Sequence, residues 1–351
     1  MSKINLLART PEGIAALVDP VADRRFRGRQ VASWILHRDA CGFDEMTDLP
    51  AGLRRELGRL FTLDEPVVER FHRSDDGAAK YLFRLADGQT IEGVAMPENG
   101  KLTLCLSSQT GCALGCSFCV TGALGAGRNL TADEIIGQYR AMLRTSGADA
   151  DRVNVVFMGM GEPLLNLTAV DRVLDVLAIR TSLKRITVST AGVVPGIRWL
   201  AGRDRRPKLA VSLCAPDQER RQWLMPIAGR WPLDSLMEAV RSFPLERGRR
   251  ITFEYVLIAG VNDDPADARA TAELVRGIPS KINLIPFNED PVHLPGLARP
   301  SPESIDRFVG ELLDAPLTVT VRRSRGTDVG AACGQLKGLH QLAGRAETAA
   351  P

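Results

Sequence analysis

Three cysteines fall within eight residues in the stretch "QTGCALGCSFCVTG" (residues 109–122): Cys112, Cys116 and Cys119, in a chain with seven cysteines in all. Clustered thiolates bind soft metals, and the spacing C-x3-C-x2-C narrows the choice. A structural zinc site closes four ligands around the ion, whereas this loop offers three. No histidine lies within it, and the chain has only His37, His72, His293 and His340. A thioredoxin-type redox pair uses Cys116 and Cys119 and leaves Cys112 unexplained. A four-iron cluster on three thiolates leaves one iron open to a small molecule, which gives the missing fourth ligand a purpose. Zinc and isolated thiols stand as the alternatives.

Further along the chain, "GMGEP" (residues 159–163) combines Gly159 and Gly161, which let backbone approach a ligand closely, with Glu162, a carboxylate suited to an ammonium group. Cys333 sits in "GTDVGAACGQLKG" (residues 326–338), where flanking glycines and small residues suit a mobile, exposed thiol. Cys105 lies seven residues before the cysteine loop; taken singly, it reads as a small buried hydrophobe.

Positioning such groups requires strands that end at one mouth. After residue 101 the sequence alternates apolar strand-like runs with helical stretches: residues 102–108, 153–160, 185–190, 208–214, 251–258 and 281–287 are the expected strands. Between them lie helices such as "TADEIIGQYRAMLRT", with a capping box between Thr131 and Glu134, and "DPADARATAELVRGI". Six such units predict an α/β fold with a partial (β/α)6 TIM-type barrel over residues 101–338, whose chemistry sits on the loops after the strands. The cysteine loop, "GMGEP", "STAG", "SLCAP" and "PFN" all fall there. Residues 1–65 read as a small helical domain, residues 66–100 as hairpin strands around "DDG" and "ADG" turns, and residues 339–351 as a tail.

The 351 residues, 44% hydrophobic and 25% charged with net charge +3, describe a globular chain with a sizeable core. No apolar run approaches the ~20 residues of a membrane span, and the first residues lack a signal-peptide core, so a cytoplasmic protein is expected. A reducing compartment turns clustered cysteines toward metal or redox roles. Near-balanced charge does not by itself announce a nucleic-acid binder. Four basic clusters do stand out, "DRRFRGR" (residues 23–29), "GRDRRPK" (202–208), "ERGRR" (246–250) and "VRRSRG" (321–326), each read singly as solvated surface.

The cysteine spacing, with Phe118 between the second and third thiols, resembles that of radical S-adenosylmethionine (SAM) enzymes. Over residues 4–338, "FDEMTDLP", "CLSSQTGCALGCSFC", "RNLTADEIIGQ", "GMGEPLLN", "TVSTAGVVPGI", "EYVLIAGVND", "KINLIPFN" and "RRSRGTDVGAACGQL" closely resemble the dual-specificity adenine-C2 RNA methyltransferases, the RlmN family. The resemblance implies one [4Fe-4S] cluster on Cys112, Cys116 and Cys119 and two SAM molecules consumed per methylation. It implies that Cys333 carries a methyl group from the first SAM, becomes a carbon radical through the second, and crosslinks to C2 of an adenosine. Glu92 would take the C2 proton, and Cys105 would resolve the crosslink through a disulfide with Cys333. SAM contacts carry over to Gly161, Glu162, Ser189, Ser212, Leu213, Cys214 and Asn288. One departure is visible, since the family's usual "SLHAP" is "SLCAP" here, with Cys214 in place of histidine.

The same resemblance implies 23S ribosomal RNA and transfer RNA as partners, gripped partly by the amino-terminal module, and an electron donor such as a flavodoxin-type reductase system. A monomer without membrane association is the expected state. The sister activity at C8 of the ribosomal adenosine is the competing assignment; a non-catalytic RNA-binding protein with a structural zinc is the competitor of another class.

Overall fold

The computed structural model describes residues 3–148 and 152–337. At the amino terminus, β1 (Ile4–Asn5) pairs in parallel with β2 (Phe61–Thr62) and closes a module of three helices, α1 (Pro11–Val18), α2 (Arg27–His37) and α3 (Ala51–Leu60). Helix α2 buries Val31, Ala32, Ile35 and Leu36, the apolar stripe its 3.6-residue period requires.

Ten strands form one sheet in chain order. The first four are β3 (Val67–Arg73), β4 (Ala79–Arg84), β5 (Thr90–Glu98) and β6 (Lys101–Cys105), joined antiparallel. Parallel to β6 follow β7 (Val153–Phe157), β8 (Ile186–Thr190), β9 (Lys208–Ser212), β10 (Ile251–Leu257), β11 (Ser280–Pro286) and β12 (Thr318–Val321). A short helix α4 (Val120–Leu124) ends the cysteine loop. Covering the parallel strands are α5 (Ala132–Ser146), α6 (Leu167–Arg180), α7 (Val194–Ala201), α8 (Gln218–Leu224), α9 (Leu233–Arg241), α10 (Pro265–Leu274) and α11 (Pro302–Leu313). The capping box of α5 is formed: Glu134 N–H donates to Thr131 Oγ1 at 3.1 Å, and Thr131 N–H donates to Glu134 Oε2 at 2.8 Å.

All six expected parallel strands are present, in an open half-barrel whose edges β3 and β12 do not meet among the described residues. One feature differs from expectation. A seventh parallel strand, β12, was not legible because "TVTV" is a four-residue, largely exposed edge with no apolar run. The hairpin strands lead into the core as a continuation of its sheet: β5 pairs with β6 from Val94↔Cys105 to Glu98↔Lys101.

The amino-terminal module is locked to this sheet through Arg140 on α5. Its Nε meets Glu65 Oε1 at 2.6 Å, and Nη1 and Nη2 donate to the carbonyls of Ile35 and Ala40 at 2.7 and 2.8 Å. A buried guanidinium so fully satisfied holds one geometry, because any slippage leaves a charge unpaired in the core.

Candidate active site

The cysteine loop leaves β6 and is held on every side by backbone. Ser108 and Gln109 N–H both donate to Met160 O, at 2.8 and 3.1 Å; Cys112 N–H reaches Gly125 O and Ser117 N–H reaches Leu224 O, each at 2.9 Å. Cys112, Cys116 and Phe118 pack against Leu114, Val120, Ala215 and Met225. Burial pushes the Cys112 thiol up to about 12 and raises those of Cys116 and Cys119. Three free thiols on one loop, with no histidine among them, are the donor set of a soft-metal or iron–sulfur site.

Arg221 on α8 supplies the electrostatic complement. It is fully buried, donates through Nη2 to Ala191 O at 2.7 Å and Ser212 O at 3.2 Å, and leaves Nε and Nη1 without partners. Its charge is felt at Cys116 and Cys214. A buried cation with free donors beside clustered thiols suits a bound group of negative charge, and a thiolate-ligated cluster is one.

The glycines of "GMGEP" make room for a neighbouring loop. A Cβ on Gly159 would stand 2.7 Å from Leu106 O, and one on Gly161, whose φ is +93°, would stand 2.4 Å from Gln109 Cβ. What approaches these glycines so closely is the start of the cysteine loop, so they key the second strand's loop to the first. Glu162 extends the same joint. Its N–H donates to Gln109 Oε1 at 2.8 Å, while Oε1 accepts from Leu164 N–H at 3.0 Å and Oε2 from Ala191 N–H at 2.7 Å. The Thr190 side chain adds a further hydrogen bond to this carboxyl.

Burial drives the Glu162 carboxyl up to about 7 against an ordinary 4.5, with the Ala191 and Leu164 amides opposing. The folded chain therefore holds this proton more tightly than the unfolded chain, and stability falls as pH rises from 4.5 to 7. Relative to Glu162→Gln, the ligand-free wild type is expected to lose about 3 kcal/mol over that interval. Urea unfolding midpoints of both proteins from pH 4 to 8 measure it; parallel curves would remove Glu162 as the cause.

Ser189 on β8 and Ser212 on β9 are half-buried at the strand ends, and Leu213 is buried, its N–H bonded to Glu254 O at 2.9 Å. Cys214 is buried at φ +60°, a left-handed conformation rare outside glycine, with Ala215 N–H closing back on Leu213 O at 2.8 Å. Asn262 holds this turn. Its Nδ2 donates to Cys214 O and Val256 O, both at 2.7 Å, and its Oδ1 accepts from Ile258 N–H at 2.7 Å. The segment is thus shaped through its backbone, and the thiol that replaces histidine packs among apolar side chains beside the cluster cysteines.

Cys333 is brought back across the mouth by its own loop. Gly334 O accepts from Val120 N–H and Leu336 O from Thr121 Oγ1, both at 2.7 Å, and Asn288 Nδ2 donates to Cys333 O at 3.1 Å. The expected mobile thiol is instead half-buried on a docked loop; Gly334, at φ +83°, permits the close approach to Phe118 O. Cys105, Cys333, Met158 and Ile285 line one narrow chamber. Both thiols are free, so the implied disulfide between them is absent here.

Glu92, on β5, does not line that chamber. Its carboxylate is fully buried, with Oε2 accepting from Lys337 N–H at 2.8 Å and Oε1 lying 3.3 Å from Lys80 Nζ without an aligned hydrogen bond. Asn288 likewise braces the Cys333 loop, its Oδ1 accepting from Ser324 Oγ at 2.5 Å. Lys80, Gln109, Arg221, Asn262 and Arg322 complete the site and were not singled out from sequence. "GVND" alone hinted at Asn262; the others look like ordinary polar surface residues until the chain folds.

Comparison with known proteins agrees with this geometry. Residues 106–272 match the radical SAM superfamily, and residues 4–63 match the ribosomal RNA large subunit methyltransferase N-terminal domain. The dual-specificity RNA methyltransferase RlmN of Anaeromyxobacter dehalogenans is 45% identical, covering 93% of this chain and 89% of its own. That of Geobacter sulfurreducens is 49% identical over 90% of this chain and 86% of its own. A radical SAM methyltransferase from Sphaerobacter thermophilus superposes with a TM-score of 0.90 at 42% identity, covering 95% of this chain and 99% of that structure. With family models matching the helical module and the region that begins at the cysteine loop, and relatives 45–49% identical over nine-tenths of its length, the chain belongs to the RlmN family of radical SAM methyltransferases.

Proposed function

We propose that this chain methylates C2 of an adenosine in 23S ribosomal RNA and of an adenosine in the transfer RNA anticodon loop. The observation that carries the reading is the shared chamber: Cys105 and Cys333, 228 residues apart in sequence, line it together, and Cys333 is near enough to act electrostatically on both Cys105 and Cys119. C2 of adenine is an electron-poor ring carbon without a lone pair and cannot attack a methyl donor directly, so the chemistry calls for a radical and a protein-borne methyl group. One [4Fe-4S] cluster, held by Cys112, Cys116 and Cys119, would supply the electron that turns SAM into a carbon radical, two SAM molecules being consumed per product.

The chain's own residues carry the remaining work. Cys333 Sγ takes the methyl group, and after that group loses a hydrogen atom its carbon, still on Sγ, bonds to C2 of the base; the tight chamber excludes water from this reactive carbon. Once C2 has lost its proton, the Cys105 thiolate attacks Cys333 Sγ. The S–S bond forms and the S–C bond breaks with its electron pair left on the carbon, which takes up a proton as the methyl group of the released base. The reductant returns the transient disulfide to two thiols. Glu92 accepts the C2 proton, oriented by the Lys337 amide and Lys80. Gly161, Glu162, Ser189, the Ser212, Leu213 and Cys214 segment, and Asn288 bind SAM.

RNA is engaged partly through the amino-terminal module, electrons come from a flavodoxin-type reductase system, and the protein works as a cytoplasmic monomer. Among the described residues no helix is long and apolar enough to cross a membrane. The test is nucleoside analysis of ribosomal and transfer RNA after incubation with anaerobically reconstituted protein, SAM and reductant. The expected product is 2-methyladenosine; 8-methyladenosine alone would reassign the carbon, and a colourless, zinc-loaded preparation without product would sink the radical chemistry.

A further inference from the structure

Three of the four basic clusters in the sequence, residues 202–208, 246–250 and 321–326, converge on one cavity of about 1190 Å³. Its floor is the inward face of the half-barrel at the beginnings of β8 to β11, with Thr187, Lys208, Thr252 and Lys281 at its edge. This is the end opposite the cysteine loop, which leaves the strands at their carboxyl ends. Ten lysines and arginines line the cavity against three glutamates, although the whole chain carries only +3. Lys184, Lys208, Arg247 and Arg323 are exposed with no carboxylate partner among the described residues. Although the Lys208 residue as a whole is exposed, partial burial of its side chain first, and then Lys281, Arg249 and Arg185, hold its ammonium below the ordinary lysine range.

The cavity leads inward. It shares Met96, Met158, Arg322 and Arg325 with the walls of the chamber that holds Cys105 and Cys333. Arg322 lies at this junction, its guanidinium against Met96 Sδ at 3.8 Å and Met158 Sδ at 3.9 Å. A polar layer lies below it: Asn283 Nδ2 donates to Glu254 Oε2 at 2.5 Å, and Thr320 Oγ1 donates to Asn283 Oδ1 at 2.9 Å.

We propose that this basic cavity is the docking groove for the phosphodiester backbone of the RNA substrate, and that the target base passes from it up the barrel lumen, by Arg322, to the two thiols. The inference rests on the RNA methyltransferase reading. An acidic electron-donor protein would need access to the cluster; the groove is concave, lies at the other end of the strands and opens toward the thiols, which fits an extruded base joined to a polyanionic chain. Phosphate neutralisation by such a groove makes binding steeply salt-dependent.

The experiment compares the reconstituted full chain with a rim variant, Lys208→Glu/Arg247→Glu/Arg323→Glu. A control with the same charge change on the outer helices is Arg241→Glu/Arg276→Glu/Arg307→Glu. Binding of an RNA stem-loop with unpaired adenosines is followed by fluorescence anisotropy from 50 to 300 mM salt. The rim variant is expected to bind roughly 30-fold or more weakly at about 0.1 M salt, with a log–log salt slope reduced by about 3, while the control binds as wild type. Methyl loading of Cys333 from SAM, read by mass spectrometry, is expected to be unchanged in both, which reports an intact fold.

Equal losses in rim variant and control, or wild-type binding by the rim variant, would overturn the groove. So would a rim variant that keeps RNA binding but loses reduction by a flavodoxin-type protein. Photocrosslinking of wild-type protein to the same RNA covers a rim variant that fails to fold: adducts in residues 206–208, 247–250 or 322–325 support the groove, and adducts confined elsewhere refute it. Failure of the wild type to bind or methylate any RNA would instead overturn the underlying reading.

Discussion

Replacing Cys333 with alanine is expected to lower methyl transfer to RNA by at least about 1000-fold and to abolish methyl loading of the protein, with folding intact. A residue that bonds covalently to both methyl group and base cannot be bypassed by binding energy. The structural cost is small, because Cys333 is half-buried and its loop is held by backbone bonds at Gly334 and Leu336 that alanine leaves untouched. Mass spectrometry of the protein after SAM exposure, with nucleoside analysis of the RNA, checks both halves. Residual methylation within about tenfold of wild type would remove Cys333 from the reaction.

Cys105→Ala is expected to stop turnover at a later point, leaving a covalent protein–RNA adduct visible as a slow band in a denaturing gel. Burial first, and then the neighbouring Cys333, push the Cys105 thiol up to about 12, with Arg322 opposing. In the crosslinked state Cys333 is a thioether and no longer opposes ionisation of Cys105, while Arg322 stays, so Cys105 becomes easier to ionise when its attack is needed. For the wild type, resolution should therefore speed up with pH, by roughly tenfold per unit between about pH 7 and 9, since the thiolate is the nucleophile and its fraction rises tenfold per unit below its pKa. A Cys105→Ala protein that turns over normally, or a resolution rate flat in pH, would exclude this role.

Much of the fold was legible because parallel barrel strands are buried on both faces and read as apolar runs. "VNVVF" and "KLAVS" became β7 and β9 with little change of bounds. Strand β12 escaped because an exposed edge needs no such run. The register that joins the hairpin strands to the barrel sheet was not legible, because pairing is a property of two segments at once. The same limit applied at the site. Gly159 and Gly161 were recognisable as close-approach positions, and the fold adds that the start of the cysteine loop packs on them.

By itself the sequence determined the chemistry on offer. Residue types and local spacing are one-dimensional facts, so three thiols in eight residues and a Gly-x-Gly-Glu turn could be read directly. Tertiary structure alone decided which distant groups share a space. It put Cys105 and Cys333 in one chamber, set Glu92 behind Lys80 and the Lys337 amide, and buried Arg221 beside the thiols with donors to spare. It also gathered three separate basic stretches into one groove, because charge adds up in space, where adjoining strands bring together residues as far apart in the chain as Arg206 and Arg325.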